Sequence, residues 1–276
     1  MKQKLKLAIQ ALIGIITQKI LGSHVFALIV KSENGLFAVD PQDFLVGGKL
    51  RMDGKYGLEE IEKIKHHITL DSRVLFVGAH IGTLVIPISK LCKKVVAIEA
   101  NPDTYELLER NIALNSVSNC QAFNIAASDK YENIEFLLSK ANSGGSKRVP
   151  IHKKLMYYYD NPIMISIKAV PLDTYLEEKN FDVVIIDIEG SEYFALKGMQ
   201  EIISYANTLI VEFTPHHLKN VSGVTVEEFL SLIEMHYSKL TIPSKQIVLR
   251  GSEIVECLNE MYNNGQGDDG IIFEKI

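Results

Sequence analysis

The pattern of apolar and polar positions changes character near Ser72. Ahead of it, Leu5, Ile9, Leu12, Ile16 and Ile20 recur at helical spacing. Lys6, Gln10 and Thr17 lie off that stripe, so an amphipathic helix is predicted. Residues 25–30 and 36–39 read as short strands around the turn Glu33-Asn34-Gly35. Leu58, Ile61 and Ile64 share one face of a helix predicted over 57–67, and the stretch before it reads as strands and turns.

After Ser72 the chain alternates. Apolar runs at 73–77, 94–98, 120–125, 181–188 and 208–213 read as strands. Helices are predicted at 83–91, 102–115, 192–204 and 225–237, with Asn101 as N-cap and Pro102 at the first helical position of the second. The tail adds short strands at 240–242, 247–249 and 271–274. This rhythm predicts an α/β fold with a mostly parallel sheet covered on both faces. It also divides the chain into an N-terminal helix and β-hairpin extension, residues 1–69, serving as cap or dimer surface, and a main domain, residues 70–276. Ligands of such sheets bind beyond the carboxyl ends of the strands, near the point where strand order reverses.

Composition narrows the class. The 276 residues are 47% hydrophobic and 23% charged, which excludes a disordered, collagenous or coiled-coil chain. Cys92, Cys120 and Cys257 are too few and too scattered for a disulfide framework or a cysteine zinc cluster, and they fit a reducing, cytoplasmic setting. Net charge is −5 and no basic stripe is present, so no nucleic-acid partner is expected. The basic group Lys147, Arg148, His152, Lys153 and Lys154 reads as a solvated loop first and as an anion or substrate contact second. The N-terminal apolar run is too short to span a bilayer. Its expected use is packing on the main domain or on a second copy in a homodimer, with peripheral membrane contact beside Lys2, Lys4 and Lys6 as the lesser alternative.

The chemistry gathers at the strand ends. Gly78-Ala79-His80-Ile81-Gly82 follows the first strand, where small residues let the backbone turn sharply and aim N–H groups at a ligand. A third glycine of the dinucleotide fingerprint is missing, which disfavours a nicotinamide-dependent oxidoreductase. Glu99 ends the second strand 21 positions after Gly78, placed to accept both hydroxyls of an adenosine ribose. A cofactor with adenosine but no pyrophosphate fits these marks, and S-adenosylmethionine is the candidate. Asn101 follows, and Ala126-Ala127-Ser128-Asp129 at the third strand end suits the edge of an adenine ring. The fourth strand ends in Asp187-Ile188-Glu189-Gly190-Ser191-Glu192, where a two-residue period puts Asp187 and Glu189 on one face. The fifth ends in Glu212-Phe213-Thr214-Pro215-His216-His217, and one of the two histidines is expected to act with Glu212. Residues 139–161 interrupt the alternation and read as a substrate lid.

Together these stretches resemble the FkbM-type family of S-adenosylmethionine-dependent methyltransferases over Phe37 to Met235. VGAHIGT, AIEANPDTYELLERNIALN, AASD, PLDTYL, IDIEGSEYFALKGM and VEFTPHHL carry the resemblance. It implies a class I Rossmann-like sheet of seven strands with the last one antiparallel. It also implies methyl transfer, typically to a hydroxyl of a sugar, glycan or secondary metabolite. Gly78, Ala79, His80 and Gly82 would then face the methionine part of the cofactor, and Glu99 the ribose. Asp129 would lie near adenine and Asp187 near the transferring methyl, with Asn101 and Ala127 also among the cofactor-binding residues. Asp187, Glu189 and His216 are the candidate catalytic groups. No metal site is assigned. A divalent ion on Asp187, Glu189 or Glu212 is compatible with these residues but not required by them. Two departures stand out: Phe76 occupies a position where the family usually has Asp, and His80 one where it usually has Asn. They keep a noncatalytic descendant as a competing reading, beside an amide or amine acceptor.

Overall fold

The computed structural model describes residues 2–275, with side chains described from Leu12 onward. Lys2–Leu21 is a helix. Leu5 and Ile9 of its expected stripe, and the flanking Lys2, Lys4 and Lys6, fall outside the described side chains. The rest of the stripe does not pack on the body as expected: Leu12, Ile16 and Ile20 are exposed. The helix touches the body at Gly14, where a Cβ would run into the backbone carbonyl of Gln42. Among the described residues no helix is long and apolar enough to cross a membrane.

β1 (Leu28–Ser32) and β2 (Gly35–Val39) form the expected antiparallel hairpin. Phe37 and Val39 bury against Ile81, Ile86 and Leu107 of the main body. Asn111 stitches the two parts, accepting from the Ala38 N–H (2.6 Å) and donating to the Ile81 carbonyl (2.8 Å). The region also holds a helix that the pattern hides, Val46–Asp53. Gly47 and Gly48 lower its intrinsic propensity. The Asp43 carboxylate offsets this by accepting from the N–H groups of Leu45 (2.9 Å), Val46 (3.2 Å) and Gly47 (3.1 Å).

β3 (Arg73–Val77), β4 (Lys94–Glu99) and β5 (Cys120–Asn124) run parallel. A separate four-stranded sheet follows, from β6 (Ala126–Ala127), β7 (Glu132–Leu138), β8 (Lys147–Arg148) and β9 (Ile163–Val170), in the order β6-β9-β7-β8. The chain returns to the first sheet with β10 (Val183–Ile186) and β11 (Thr208–Phe213), then β12 (Lys239–Ile242), β13 (Ile247–Arg250) and β14 (Asp268–Glu274).

The main sheet is ordered β13-β12-β14-β11-β10-β3-β4-β5. β14 runs antiparallel to β11, giving the reversed last strand of the class I methyltransferase-like fold. The sheet has eight strands instead of seven, because a hairpin adds β13 outside β12. Strand order reverses beside β3, where Val77 stands level with both Ile98 and Ile186. The loops after β3, β4 and β10 are thereby gathered at one edge.

Three predicted helices are shorter than expected, and the run 83–91 keeps only Val85–Ser89. The run 192–204 splits into Glu192–Lys197 and Gln200–Tyr205, because Gly198 lies tight against the Ser128 carbonyl and the Pro171 Cα. The run 225–237 keeps only Val226–Leu230, started by a Thr225–Glu228 capping box. A helix at Ser252–Asn264 was not anticipated. Leu75, Val77, Val184 and Ile186 bury into one face of the sheet, and Val74, Phe76, Val95 and Ile185 into the other.

Candidate active site

The turn after β3 is fixed by close backbone approach. Gly78 has φ +94°, and a Cβ there would run into the backbone carbonyl of Asp187. The N–H groups expected to be free for a ligand are in use. Gly78 and Ala79 both donate to the Ile98 carbonyl at 2.9 Å, and Gly82 donates to Ala79 at 3.0 Å. The His80 N–H donates to Glu99 Oε2 at 2.7 Å. The following helix starts only at Val85 and is five residues long, so it brings no helix terminus to the site.

Glu99 is 8% exposed and held by three donors. Besides His80, the Asn101 N–H (2.8 Å) and the Thr104 hydroxyl (3.2 Å) reach its Oε1. Burial pushes its carboxyl above the ordinary value, and these bonds oppose the shift. A carboxylate offers about four lone-pair sites, so roughly one remains for a ligand hydroxyl instead of the two anticipated.

A cavity of about 320 Å³ lies over β3, β4 and β10. Gly78, Ala79, His80, Glu99, Ala127, Asp187 and Glu189, all singled out from sequence, line it. Ile98, Ala126, Ile134 and Phe136 make one end apolar. An apolar slot for a flat ring, a carboxylate beside it and a glycine that no other residue could replace are the features an adenosine cofactor needs. Ser143 and Ser146 also line it, from the long insertion.

Gly82, Asn101 and Asp129 are not among the lining residues. Gly82 faces Leu108 on the next helix. Asn101 is buried as the N-cap of Pro102–Leu114, and its amide donates to Ser146 (3.2 Å). Asp129 turns outward to pair with Lys197 at 3.1 Å. Desolvation would raise its pKa, but Lys197 holds it below the ordinary value.

His80 is the one imidazole among the described residues lining this cavity. Its Nε2 is 2.7 Å from Ser143 Oγ, and that hydroxyl donates to Asp43 at 2.7 Å. The serine oxygen must therefore accept, which places the imidazole proton on Nε2. Burial lowers the His80 pKa to about 4. His80 and Glu189 both take left-handed backbone conformations, with φ of 50° and 57°. Two such non-glycine residues flanking one cavity mark a locally strained site.

The loop after β10 departs from the expected strand geometry. The strand ends at Ile186, so Asp187 and Glu189 sit on a turn and not on one strand face. Glu192 is structural here, accepting from the N–H groups of Ile188 (3.0 Å) and Gly190 (3.1 Å). Asp187 opens into the cavity, so water tempers its desolvation. Its pKa still lies well above the ordinary value, through desolvation and then the repulsion of Glu212, Glu189 and Glu192.

Glu189 belongs to a buried polar group that the sequence did not assemble. Lys147 is not a solvated loop residue. It is 8% exposed, and its Nζ donates to Glu189 Oε2 at 2.7 Å. His217 Nε2 stands 3.2 Å from the same oxygen and 3.2 Å from Lys147 Nζ. Its Nδ1 is 3.5 Å from Glu212 Oε2. His217, not His216, is thus the partner of Glu212. His216 is exposed, and the Tyr157 hydroxyl holds its main-chain carbonyl at 2.9 Å. Desolvation and then Lys147 push His217 down to about 4, whereas desolvation and then Glu189 push Glu212 well up. Glu189 is held low by Lys147 and then His217, against desolvation.

A second cavity, about 750 Å³, adjoins the first, with Tyr56, Phe76, Gly78, Asp187 and Glu189 lining both. Asp53, Glu59, Glu60, Glu212 and Asp269 add carboxylates to its wall, against Lys49, Lys55 and Lys63. Tyr56 lacked any motif that would have marked it as a cavity residue, whereas Phe76 was marked by standing where the family usually has Asp. Asp43 carried no usable signal, because the helix it precedes is itself hidden in the pattern.

The Methyltransferase FkbM domain model matches residues 77–239. A probable cobalt-precorrin-6B C(15)-methyltransferase (decarboxylating) of Methanocaldococcus jannaschii is 27% identical over 139 residues, covering 47% of this chain and 74% of that protein. The solved FkbM methyltransferase of Methylobacillus flagellatus is 18% identical with a TM-score of 0.43, covering 75% of this chain. This chain spans 44% of that protein's length. The M. jannaschii TYW2 structure in complex with AdoMet is 16% identical with a TM-score of 0.46, covering 91% of this chain and 87% of that one.

Proposed function

The chain belongs to the FkbM methyltransferase family and is an S-adenosylmethionine-dependent methyltransferase, and from that premise we propose that it methylates a hydroxyl of a sugar or similar small metabolite. The observation that carries this reading is the seam between the two cavities, where Asp187 lines both. In this reading the smaller cavity takes the cofactor. Gly78, Ala79 and His80 face its methionine part, Glu99 takes a ribose hydroxyl, and Ala127 with Ile98 and Phe136 encloses the adenine. When bound, S-adenosylmethionine supplies a methyl group on a sulfonium sulfur, already activated toward displacement.

The protein's part is to hold the acceptor oxygen in line with that methyl and to remove its proton. Asp187 receives the proton. Its raised pKa makes it a better base than an ordinary aspartate, and its opening to the second cavity gives it reach to an acceptor. Glu189, neutralised by Lys147, shapes the floor beside it. Residues 1–69 act as a cap on this reading, since Lys49, Tyr56, Gly57 and Leu58 line the acceptor side.

The carboxylate-rich wall argues for a neutral, hydroxyl-bearing acceptor over a polyanion such as RNA. It suits an amine as well, which makes N-methylation the second reading. The test incubates the protein with S-adenosylmethionine and separate panels of sugars and glycosides, amines, and transfer RNA, following S-adenosylhomocysteine release and product mass. Turnover with a sugar, giving a product heavier by one methylene and stable to alkali, is the expected result. Turnover confined to RNA or to amines would overturn it.

A further inference from the structure

The N-terminal helix turns its apolar stripe away from the protein. Gly14 is buried against the Gln42 carbonyl. One turn on, the Gln18 amide donates to the carbonyls of Gly22 (2.9 Å) and Val25 (3.2 Å), on the chain that leads back to the hairpin. At about 100° per residue, both positions lie about 160° around the helix from Ile16. The side opposite the body is therefore the stripe Leu12, Ile16 and Ile20, which are 55%, 45% and 79% exposed. Ile13 and Ile15 are exposed as well. The hairpin repeats the pattern: Ile29 and Leu36 are exposed, and Leu36 stands opposite exposed Lys31 across the strands. Single apolar side chains on a surface are ordinary, but a run of them along one helix marks a face that meets something other than water.

Charge decides what covers this face. The first 32 residues contain Lys2, Lys4, Lys6, Lys19 and Lys31 and no aspartate or glutamate, a formal +5 in a chain whose net charge is −5. The rest of the chain therefore carries −10. A second copy docked through the same face would bring lysines to lysines, with no carboxylate of the segment to answer them. An anionic lipid surface supplies both the counter-charge and an apolar layer. We propose that the Lys2–Leu21 helix lies in the plane of an anionic membrane surface, with Leu12, Ile16 and Ile20 entering the lipid and Lys19 at headgroup level. Gly14 and Gln18 are committed to the protein, so the helix is attached along one side. A helix held in that way rests on a bilayer and does not pass through it. The apolar stripe is short, so binding is reversible and needs both the apolar and the electrostatic contribution.

The test sediments the full chain with vesicles of phosphatidylcholine mixed with phosphatidylglycerol, and with vesicles of phosphatidylcholine alone. Binding is expected to be at least about tenfold tighter to the anionic vesicles, with the difference lost in high salt. Ile16→Glu, at an exposed position, is expected to weaken it at least about tenfold. The chain has no tryptophan, so Ile16→Trp supplies a single reporter, whose emission should move to shorter wavelength on the anionic vesicles. No cosedimentation, equal binding to both kinds of vesicle, or binding unchanged in Ile16→Glu would overturn the proposal. A dimer in sedimentation velocity that Ile16→Glu separates into monomers would also overturn it, and give the face to a second copy. Should Ile16→Glu fail to fold, the Ile16→Trp emission decides: a shift supports insertion, and an unshifted spectrum removes it. None of these readouts involves methyl transfer, so failure here leaves the proposed activity standing.

Discussion

Replacing His80 by Asn should make the protein less sensitive to acid. The folded protein holds the His80 pKa at about 4, against an ordinary 6.5, because burial penalises the charged ring. A histidine lowered on folding binds fewer protons folded than unfolded between those values. Its contribution to stability is therefore complete above about pH 6.5, falls as the pH drops toward 4, and levels off below. At about 1.4 kcal/mol per pH unit, the loss by pH 5 is about 2 kcal/mol. That is an upper figure, since the ring is partly open to the cavity. In a chain of this length it corresponds to about 4 °C in melting temperature. Asn at position 80 carries no titratable proton; its shorter amide does not reach the place where Nε2 meets Ser143 Oγ, a loss that is the same at both pH values and cancels in the comparison. Buried Asp43, with its pKa raised, contributes with the opposite sign in both proteins and cancels in the comparison. The assay is urea unfolding of both proteins at pH 7.5 and pH 5.0. The wild type should lose about 2 kcal/mol more than His80→Asn between the two conditions. Parallel losses would show that His80 titrates normally and that the wall it forms is wet.

Gly78→Ala should abolish cofactor binding and lower stability, since the new methyl meets the Asp187 carbonyl at a backbone conformation alanine avoids; unchanged binding by calorimetry would contradict the close approach. Phe76→Asp, the change toward the usual family residue, should destabilise by about 3 kcal/mol or more in chemical denaturation, because Phe76 is 2% exposed in the core between β3 and its covering helices. A stable Asp variant with tighter cofactor binding would instead favour a decayed site. Asp187→Asn should cut turnover by about 10²–10⁴ with cofactor affinity nearly unchanged. A comparable loss of binding would reassign Asp187 from base to cofactor ligand.

The strand ends were legible because apolar runs stop abruptly at carboxylates. Glu99 and Asp187 stand out in that way, and both line the cavity. Gly78 was legible for the same reason, as a small residue where a strand must turn. The polar group around Glu189 was not, because its members come from distant parts of the chain. Lys147 lies 42 positions from Glu189 and 70 from His217. Periodicity reports neighbours along one element and carries nothing about such pairings. His216 and His217 looked equivalent as a dipeptide, and only the turn after Thr214 decides which ring goes inside. Asp129 was misplaced by a different cause, an outward ion pair with Lys197 across a loop. The β7–β9 hairpin escaped because 24 residues, irregular apart from the two-residue β8, separate its arms, from Ser139 to Pro162.

The central claim is that the cavity beside Glu99 holds S-adenosylmethionine. It is tested most directly by titrating the cofactor and S-adenosylhomocysteine into wild-type and Glu99→Gln protein by calorimetry. Gln retains the size of the side chain and one acceptor oxygen but loses the charge and one hydrogen-bond site. Saturable micromolar binding of one equivalent to the wild type, weakened about tenfold or more in the variant, is the predicted result. No binding to folded wild-type protein, or equal binding to both, would contradict the account.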